Sequence, residues 1–231
     1  MTALDLRLKG RRDPQNVGNL TLLDGPWAQP DGSLVLTSPE QAYANAGRVF
    51  VVNAGTGTTP ITFGAGTIDT TEPDLDLEVP LGAQVKVVLL EIHIQMEAFG
   101  SDALFEGMAA VGLGGVFGTT GGTAITPANA RTDRPYNSVC RAIGNVDASA
   151  ATYMTSNVFE IFRFGLEKVA TVGTGDDDSN RLGNSYTWSA RQSGVYPYLI
   201  ANGAVARLNV FASGQAGTGF IRCVYAELPN V

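Results

Sequence analysis

The chain has 231 residues, a length that fits one domain or two small ones and that can bury a core without disulfides. Only 16% of its residues are charged and 28 are glycine, which argues against a disordered chain and against long helices. The net charge of −7 argues against direct nucleic-acid binding, and the uncharged stretch 107–130 is too polar and too rich in glycine for a membrane span.

Residues 1–45 are predicted to form an extended, irregular arm with one or two short strands. Four prolines and two Asp-Gly turn signals interrupt its short apolar patches. The first twelve residues have a net charge of +3, which leaves −10 for the rest of the chain. This basic leader is either an arm that docks on an acidic surface or a solvated terminus. It contains no apolar signal segment, so we expect assembly in the cytoplasm.

Residues 46–231 are predicted to form one β domain with no convincing helix. Short segments rich in β-branched and aromatic residues alternate there with turns that contain Gly, Asn, Asp and Pro. The segment 123–135 is predicted to be mostly loop. The predicted strands cover residues 48–52, 61–63, 74–79, 84–99, 107–118, 138–144, 158–169, 185–190, 198–201, 204–212 and 219–228.

Two of these segments alternate with a period of two. Residues 74–79 place acids on one face and aliphatic side chains on the other, which predicts a half-buried strand. Residues 84–99 place Glu91, His93 and Gln95 opposite an apolar face. The dipeptide Asn202-Gly203 between two apolar segments predicts a hairpin. The pattern as a whole predicts an all-β fold, a jelly-roll-like β-sandwich with an extended N-terminal arm.

Few residues are candidates for catalysis. The single histidine, His93, could be a general base or metal ligand, but it has no second histidine beside it to complete a metal site. We therefore favour a polar residue on a solvated or subunit-facing sheet surface. The carboxylates of Asp74, Asp76 and Glu78 could supply an acid pair for glycoside cleavage. Such a row of acids more often keeps a sheet surface soluble or pairs with a neighbouring arginine.

The remaining motifs give no cofactor or metal site. Asp176, Asp177 and Asp178 could bind calcium through oxygen ligands, but their spacing differs from that of an EF-hand and a solvated loop is favoured. The glycines of residues 112–118 do not match a dinucleotide fingerprint. Cys140 and Cys223 lie in apolar segments, which predicts buried free thiols. No catalytic, cofactor-binding or metal-binding residue is therefore assigned.

Three stretches carry a resemblance to a known class of protein. They are residues 47–55 with the Thr-Pro turn that follows, residues 122–129, and the C-terminal stretch 194–204 that continues to the strand 220–229. These turn-and-strand patterns resemble jelly-roll proteins of tailed bacteriophages that decorate the capsid as cement. The resemblance covers about two thirds of the chain and includes no catalytic signature.

The resemblance implies a structural virion protein rather than an enzyme. Such proteins usually form homotrimers at capsid three-fold axes and stabilise the shell by bridging neighbouring capsomers. The implied partners are the major capsid protein and further copies of the chain, with no direct nucleic acid and no membrane. The implied location is the virion, after assembly in the host cytoplasm. An arm such as residues 1–45 could reach across a subunit boundary.

Two alternatives remain from the sequence. The first is a tail-fibre or receptor-binding head domain that recognises a host glycan or protein. Aromatic residues at loop edges could stack on sugars in that case, namely Tyr136, Tyr186, Trp188 and Tyr196. The second is an enzyme, either a carbohydrate hydrolase or a cupin-like metal enzyme, and the single histidine argues against the cupin.

Overall fold

A computed structural model describes residues 27–28, 34–35, 38–64, 68–98, 104–146, 154–167, 185–213 and 217–230. Within these ranges the elements follow in the order β1 (Trp27–Ala28), β2 (Leu34–Val35), α1 (Pro39–Asn45), β3 (Val49–Ala54), β4 (Ile61–Thr62), β5 (Leu75–Val79), β6 (Val85–Ala98), β7 (Leu104–Leu113), β8 (Thr123–Ile125), β9 (Ala128–Asn129), β10 (Arg141–Gly144), β11 (Ser156–Glu167), β12 (Ser185–Ser189), α2 (Ala190–Ser193), β13 (Tyr198–Leu199), β14 (Ala206–Ala212) and β15 (Thr218–Pro229).

Two antiparallel sheets form a sandwich. One sheet has the order β11-β7-β14-β5-β10-β8, and the other has the order β12-β6-β15-β3-β9, with β13 beside β6 and β4 beside β15. The early strands β3, β5, β6 and β7 pair with the late strands β15, β14, β12 and β11, respectively. This reversed pairing of early with late strands is how a jelly roll is wound. The predicted all-β jelly-roll sandwich is therefore confirmed.

The core lies between the sheets and is formed by alternate residues of each strand. Leu75, Leu77 and Val79 of β5 are fully buried there, as are Ile92 and the neighbouring apolar residues of β6. On β6 the polar residues Glu91, His93 and Gln95 point the other way and are more exposed. The period-two alternation predicted for this strand is thus confirmed.

The aromatic residues of β11 and β12 close one side of the sandwich. These two strands are edge strands of opposite sheets. Phe164 of β11 stacks on Tyr186 of β12 with ring centroids 4.3 Å apart, and Phe162 lies 5.0 Å from the same ring. Ring pairs at these separations stabilise the contact beyond the area that they bury. The two sheets are therefore held together along this edge.

Helix α1 corrects the prediction that the chain has no helix and that its first 45 residues are extended. Ser38 caps α1 with its side chain, and Pro39 and Glu40 occupy the first turn. Serine at this position and proline just after it are common helix-start signals. Tyr43 and Ala44 pack outside the sandwich, against the side chains Val49, Val88, Leu90 and Ala226. The short strands expected in the arm occur as the hairpin of β1 and β2.

The predicted hairpin at Asn202-Gly203 is wrong. Strand β13 before this turn pairs with β6, whereas β14 after it pairs with β5 and β7 in the other sheet. Gly203 has a φ of 71°, so the turn uses the left-handed conformation that the dipeptide favours. The turn therefore connects a strand of one sheet to a strand of the other sheet instead of forming a hairpin.

Candidate functional site: a buried charge cluster and an exposed apolar patch

The acidic face of β5 is buried, which corrects the prediction of a half-buried strand. Asp74, Asp76 and Glu78 are at most 3% exposed. They lie on the outer face of their sheet, where residues 114–119 fold over Asp76 and Glu78 after β7 ends. The expectation of a soluble acidic row is therefore wrong, and pairing with an arginine of a neighbouring strand is confirmed.

Arg207 of β14 is the cation of this buried charge cluster. Its Nη1 atom donates to Asp76 Oδ2 at 2.5 Å, to Glu78 Oε1 at 2.9 Å and to Thr119 Oγ1 at 2.8 Å. Its Nε atom donates to the Gly114 carbonyl at 2.9 Å, and Nη2 donates to the Val116 carbonyl at 2.5 Å. The guanidinium fork thus joins its own strand β14 to both β5 and the covering loop, as its planar geometry allows.

The two carboxylates beside Arg207 have different environments. Burial raises the pKa of Asp76 to about 7, and repulsion from Glu78 adds to the rise. The positive charge of Arg207 acts to lower this pKa but only partly offsets the effect of burial. Burial also acts to raise the pKa of Glu78, but hydrogen bonds from Thr119 and Gly118 and the charge of Arg207 outweigh it and lower that pKa. Arg207 is thus shared by two acids whose pKa values are shifted in opposite directions, and Glu78 has a second, longer ion pair with Arg141 at 3.9 Å.

Asp74 is a second buried acid, and no cation of the described residues pairs with it. Its carboxylate accepts hydrogen bonds from the Ala212 amide at 2.6 Å and the Gly64 amide at 3.2 Å. Burial raises its pKa to about 7, since these two hydrogen bonds only partly offset the desolvation. Asp74, Asp76 and Glu78 face backbone and Arg207 rather than an open cleft, so they do not form the acid pair that glycoside cleavage needs.

Asp74 gives the protein a pH-dependent stability. Because its folded pKa is about 7 and its ordinary value is 3.8, the native state binds this proton more tightly. The resulting stabilisation is complete below pH 4 and is lost as the pH rises through 7, at up to about 1.4 kcal/mol per pH unit for one proton. We expect Asp74→Asn to make the decline in the free energy of unfolding between pH 5 and 8 shallower, measured by urea titration at each pH; Asp76, whose pKa is also about 7, accounts for the decline that remains.

Asp69→Asn is the matched control for that experiment. Asp69 is exposed, and hydrogen bonds from Thr71 lower its pKa, so it titrates below the pH range used. The two curves of stability against pH should be parallel for wild type and Asp69→Asn. A parallel curve for Asp74→Asn as well would show that Asp74 does not titrate in this range.

His93 lies on the outer face of β6. Its Nδ1 atom is 2.7 Å from Thr187 Oγ1 of β12, and the residue opposite it on β15 is Arg222, which pairs with Glu91. Partial burial and the charge of Arg222 lower the pKa of His93. The described residues contain no cluster of His, Cys, Asp or Glu that could hold a metal ion. The position of His93 on an outer sheet face agrees with the position favoured from the sequence.

Both thiols are buried and free, as predicted. Burial and then the charge of Glu227 raise the pKa of Cys140, and burial raises the pKa of Cys223 to about 12. Glu227 accepts from Ser138 Oγ at 2.5 Å and from the Val139 amide at 3.1 Å. Protonated, enclosed thiols are poor nucleophiles. The hydrogen bonds of Glu227 tie the segment before β10 to β15.

Most of the aromatic residues proposed for sugar stacking are packed into the protein. Trp188 is buried, Tyr186 stacks on Phe164, and Arg48 lies over the Tyr136 ring at 4.0 Å from its centroid. Tyr196 is exposed, and its hydroxyl donates to Glu40 at 3.1 Å. One of the four is thus available at the surface. Asp176, Asp177 and Asp178 lie outside the described residues.

The exposed apolar side chains concentrate where β11 and β13 begin. We name the three of them that line one cleft the apolar patch: Phe159 (47% exposed), Tyr198 (54%) and Ile200 (36%). The sequence pattern predicts strands and turns for these residues and does not indicate a surface. Its only local signal is two adjacent apolar residues, Val158 and Phe159, in a strand where one of them had to point outward.

A cleft of about 160 Å³ lies in the apolar patch between the two sheets. Phe159 of β11, Tyr198 and Ile200 line it, with Leu113 at the end of β7 and Ala206 at the start of β14. The register places Leu113 opposite both Ser156 and Ala206, so these strand ends lie together. The loop that covers Arg207 begins directly after Leu113.

Comparisons with known proteins give no relative. No protein-family model matches the chain, and no curated protein and no solved structure is significantly similar to it. Among the described residues, no helix is long and apolar enough to cross a membrane. The features that bear on function are therefore the buried charge cluster, whose groups all bind within the protein, and the apolar patch.

Proposed function

We propose that the chain is a structural virion protein that decorates and stabilises a tailed-bacteriophage capsid by bridging capsomers, acting as a homotrimer and not as an enzyme. The observation that carries this proposal is the apolar patch on an otherwise acidic jelly roll. Exposed apolar clusters mark sites of protein association. The resemblance of residues 47–55, 122–129, 194–204 and 220–229 to capsid cement proteins indicates that the assembly is a capsid.

The fold suits such a role because it is rigid where a bridging protein must resist force. The sheets are closed by aromatic stacking at one edge, and the charge cluster fastens residues 114–119 to β5 and β14. Several equal contacts from one trimer to the shell raise the overall affinity without a tight single contact. The proposed partners are the major capsid protein and copies of this chain, in a virion assembled in the host cytoplasm.

Helix α1 gives the proposed arm a fixed starting point. Tyr43 and Ala44 pack on the outer face of the seven-stranded sheet, so the chain joins the sandwich beside that sheet. Four basic residues lie within the first twelve positions, and we propose that they dock on an acidic surface of a neighbouring capsomer.

Light scattering and shell binding test the proposal. The purified protein is expected to have about three times the chain mass of 24.2 kDa and to co-sediment with expanded, DNA-free shells of the phage that encodes it. Deletion of residues 1–12 is expected to weaken shell binding and leave the oligomer intact. A protein that does not bind the shells at any concentration would contradict the capsid function.

The receptor-binding alternative retains one supporting observation. Tyr196 and Tyr198 are exposed close together, and adjacent aromatic rings can stack on sugars. Fluorescently labelled protein that adsorbs to host cells, and fails to bind shells, would favour this function over capsid decoration.

A further inference from the structure

We propose that residues 114–119, the covering loop, form a pH-sensitive switch that stays closed while Asp76 carries a proton and opens more often once Asp76 has lost it. This inference goes beyond the proposed function and does not depend on it. Three features of the structure support it: the groups that hold the loop, the charges enclosed beneath it and the glycines within it.

Charged side chains hold the covering loop in place. Arg207 donates to two carbonyl groups of the loop, and Glu78 accepts hydrogen bonds from two of its amides. Asp76 accepts from Thr119 Oγ1 at 2.9 Å. The two large apolar side chains of the loop are exposed, so they contribute little to holding it. The position of the loop therefore depends on the charges of three buried groups more than on apolar packing.

The cluster under the loop holds more negative than positive charge when both of its acids are ionised. Arg207, Asp76 and Glu78 are fully buried, so one guanidinium stands against two carboxylates. Arg141 adds a second cation 3.9 Å from Glu78, but its side chain is 35% exposed, and water weakens its effect. A proton on Asp76 removes the imbalance and leaves one buried cation with one buried anion.

Beyond the two arginines, the neighbours of Asp76 in the described part of the chain are acidic or neutral. Asp74 lies two positions away on the same strand, and the residues opposite Asp76 are Ile143 and Asn209. Asn209 donates to Asp76 Oδ1 at 3.0 Å, while its own buried Oδ1 atom has no hydrogen-bond partner. Acceptors thus outnumber donors beside Asp76, and a proton on its carboxyl adds a donor where one is lacking.

The covering loop couples this proton to its own position. Burial raises the pKa of Asp76 from its ordinary 3.8 to about 7. When the loop opens, water reaches the carboxyl and its pKa returns toward 3.8. The closed form therefore binds the proton more tightly, and the stability that it gains is complete below about pH 4 and is lost as the pH rises to about 7. Above about pH 8 both forms have released the proton to water, and the effect is constant.

Glycines give the covering loop a way to move. Gly115 and Gly118 have φ values of 70° and 97°, a left-handed conformation that glycine adopts without strain. A Cβ atom on Gly115 would lie 3.0 Å from Arg207 Nη2, so the guanidinium lies directly against the backbone of the loop. Rotation at these two glycines can therefore lift the loop from the cluster without breaking the strands on either side.

The test is hydrogen exchange of single amides, followed by NMR on the full chain between pH 5 and 8. Protection factors correct for the pH dependence of intrinsic exchange, and they are compared for the amides of Gly118 and Thr119, which bind Glu78. We expect these factors to fall at least about tenfold over this range, because one proton changes the opening equilibrium by up to about tenfold per pH unit. Both amides should exchange faster than that of Cys223 in the central strand β15, since the loop opens locally.

Two variants assign the effect to Asp76. Asp76→Asn removes the proton equilibrium and keeps the size of the side chain, so the protection of the two loop amides should become independent of pH. The matched control is Asp74→Asn. Asp74 is equally buried and its pKa is also about 7, but its carboxylate accepts from the amides of Ala212 and Gly64, which lie outside the loop. The loop of this variant should respond to pH like that of wild type.

A second measurement uses the wild-type chain and does not depend on the stability of either variant. The NMR signal of the Asp76 carboxyl carbon is expected to titrate near pH 7, at the pH where loop protection stops falling. A carboxyl that titrates at its ordinary value, close to 3.8, would overturn the inference.

Three further outcomes would also contradict the switch. They are loop protection that does not change with pH in wild type, equal effects of Asp74→Asn and Asp76→Asn on the loop, and loop amides that exchange no faster than that of Cys223. The last result would mean that the loop opens only when the whole domain unfolds. None of them bears on capsid decoration, which shell binding tests separately.

Discussion

Replacement of Arg207 by methionine is expected to lower the free energy of unfolding by about 3–5 kcal/mol, because it leaves two buried carboxylates without their main cation; Glu78 keeps only the more distant Arg141, 3.9 Å away. Asp76 and Glu78 are both fully buried in the folded protein. The carbonyls of Gly114 and Val116 lose their donor as well. This loss is a large part of the total stability of about 5–15 kcal/mol expected for a domain. Urea titration with circular dichroism measures it.

Arg222→Met is the matched control. Arg222 also forms an ion pair, with Glu91, but it lies on the outer face of the sheet and is about half exposed. Exposed pairs contribute about 0–1 kcal/mol, so the control should unfold close to wild type. The triple variant Arg207→Met, Asp76→Asn and Glu78→Gln should recover part of the stability, since it buries no uncompensated charge. Equal effects of the two arginine replacements would contradict the structural role of Arg207.

Replacement of Gly219 by alanine is expected to cost at least the roughly 1–3 kcal/mol typical of overpacking. A Cβ atom at this position would lie 2.0 Å from the Gln95 carbonyl oxygen and 2.5 Å from the Phe63 ring. The register of β15 against β6 shifts between Thr218 and Gly219, so the backbones of the two strands approach closely there. The backbone oxygen cannot move without loss of pairing. Thermal unfolding of the purified variant measures the effect.

Gly57→Ala is the control for that substitution. Gly57 lies in a turn, no atom lies within 4 Å of the Cβ position, and its φ is outside the left-handed region. The added methyl group restricts the unfolded chain, so the variant should be neutral or more stable by up to about 1 kcal/mol. A melting temperature of Gly219→Ala equal to that of Gly57→Ala would contradict the close strand approach.

The buried charge cluster connects stability with the proposed contacts. Arg207 binds the carbonyl of Val116, whose side chain is the most exposed large apolar group in the described part of the chain. Phe117 beside it is also exposed. The loop that presents these two residues starts directly after Leu113, which lines the cleft. Loss of Arg207 is therefore expected to disturb the surface near the cleft as well as the fold.

The positions of the strands were predictable because their signals are local. The alternation along residues 84–99 corresponds to β6, and the predicted segments 204–212 and 219–228 correspond closely to β14 and β15. Helix α1 was missed although Ser38, Pro39 and Glu40 give the usual start signals, because the surrounding prolines favoured an extended arm. Strands β8 and β9 lie in a segment predicted as loop, where two or three residues are too few to show a period.

The sequence by itself determined the all-β class, the buried thiols and the strand positions, since residue spacing sets which side chains share a face. Only the tertiary structure decided which faces are covered. Arg207 meets Asp76 across 131 residues, and a loop covers both, so acids that looked solvent-facing are buried. The apolar patch likewise joins Phe159 and Tyr198 from different sheets. Contacts between residues so far apart in sequence depend on strand pairing, which the alternation of a single strand does not encode.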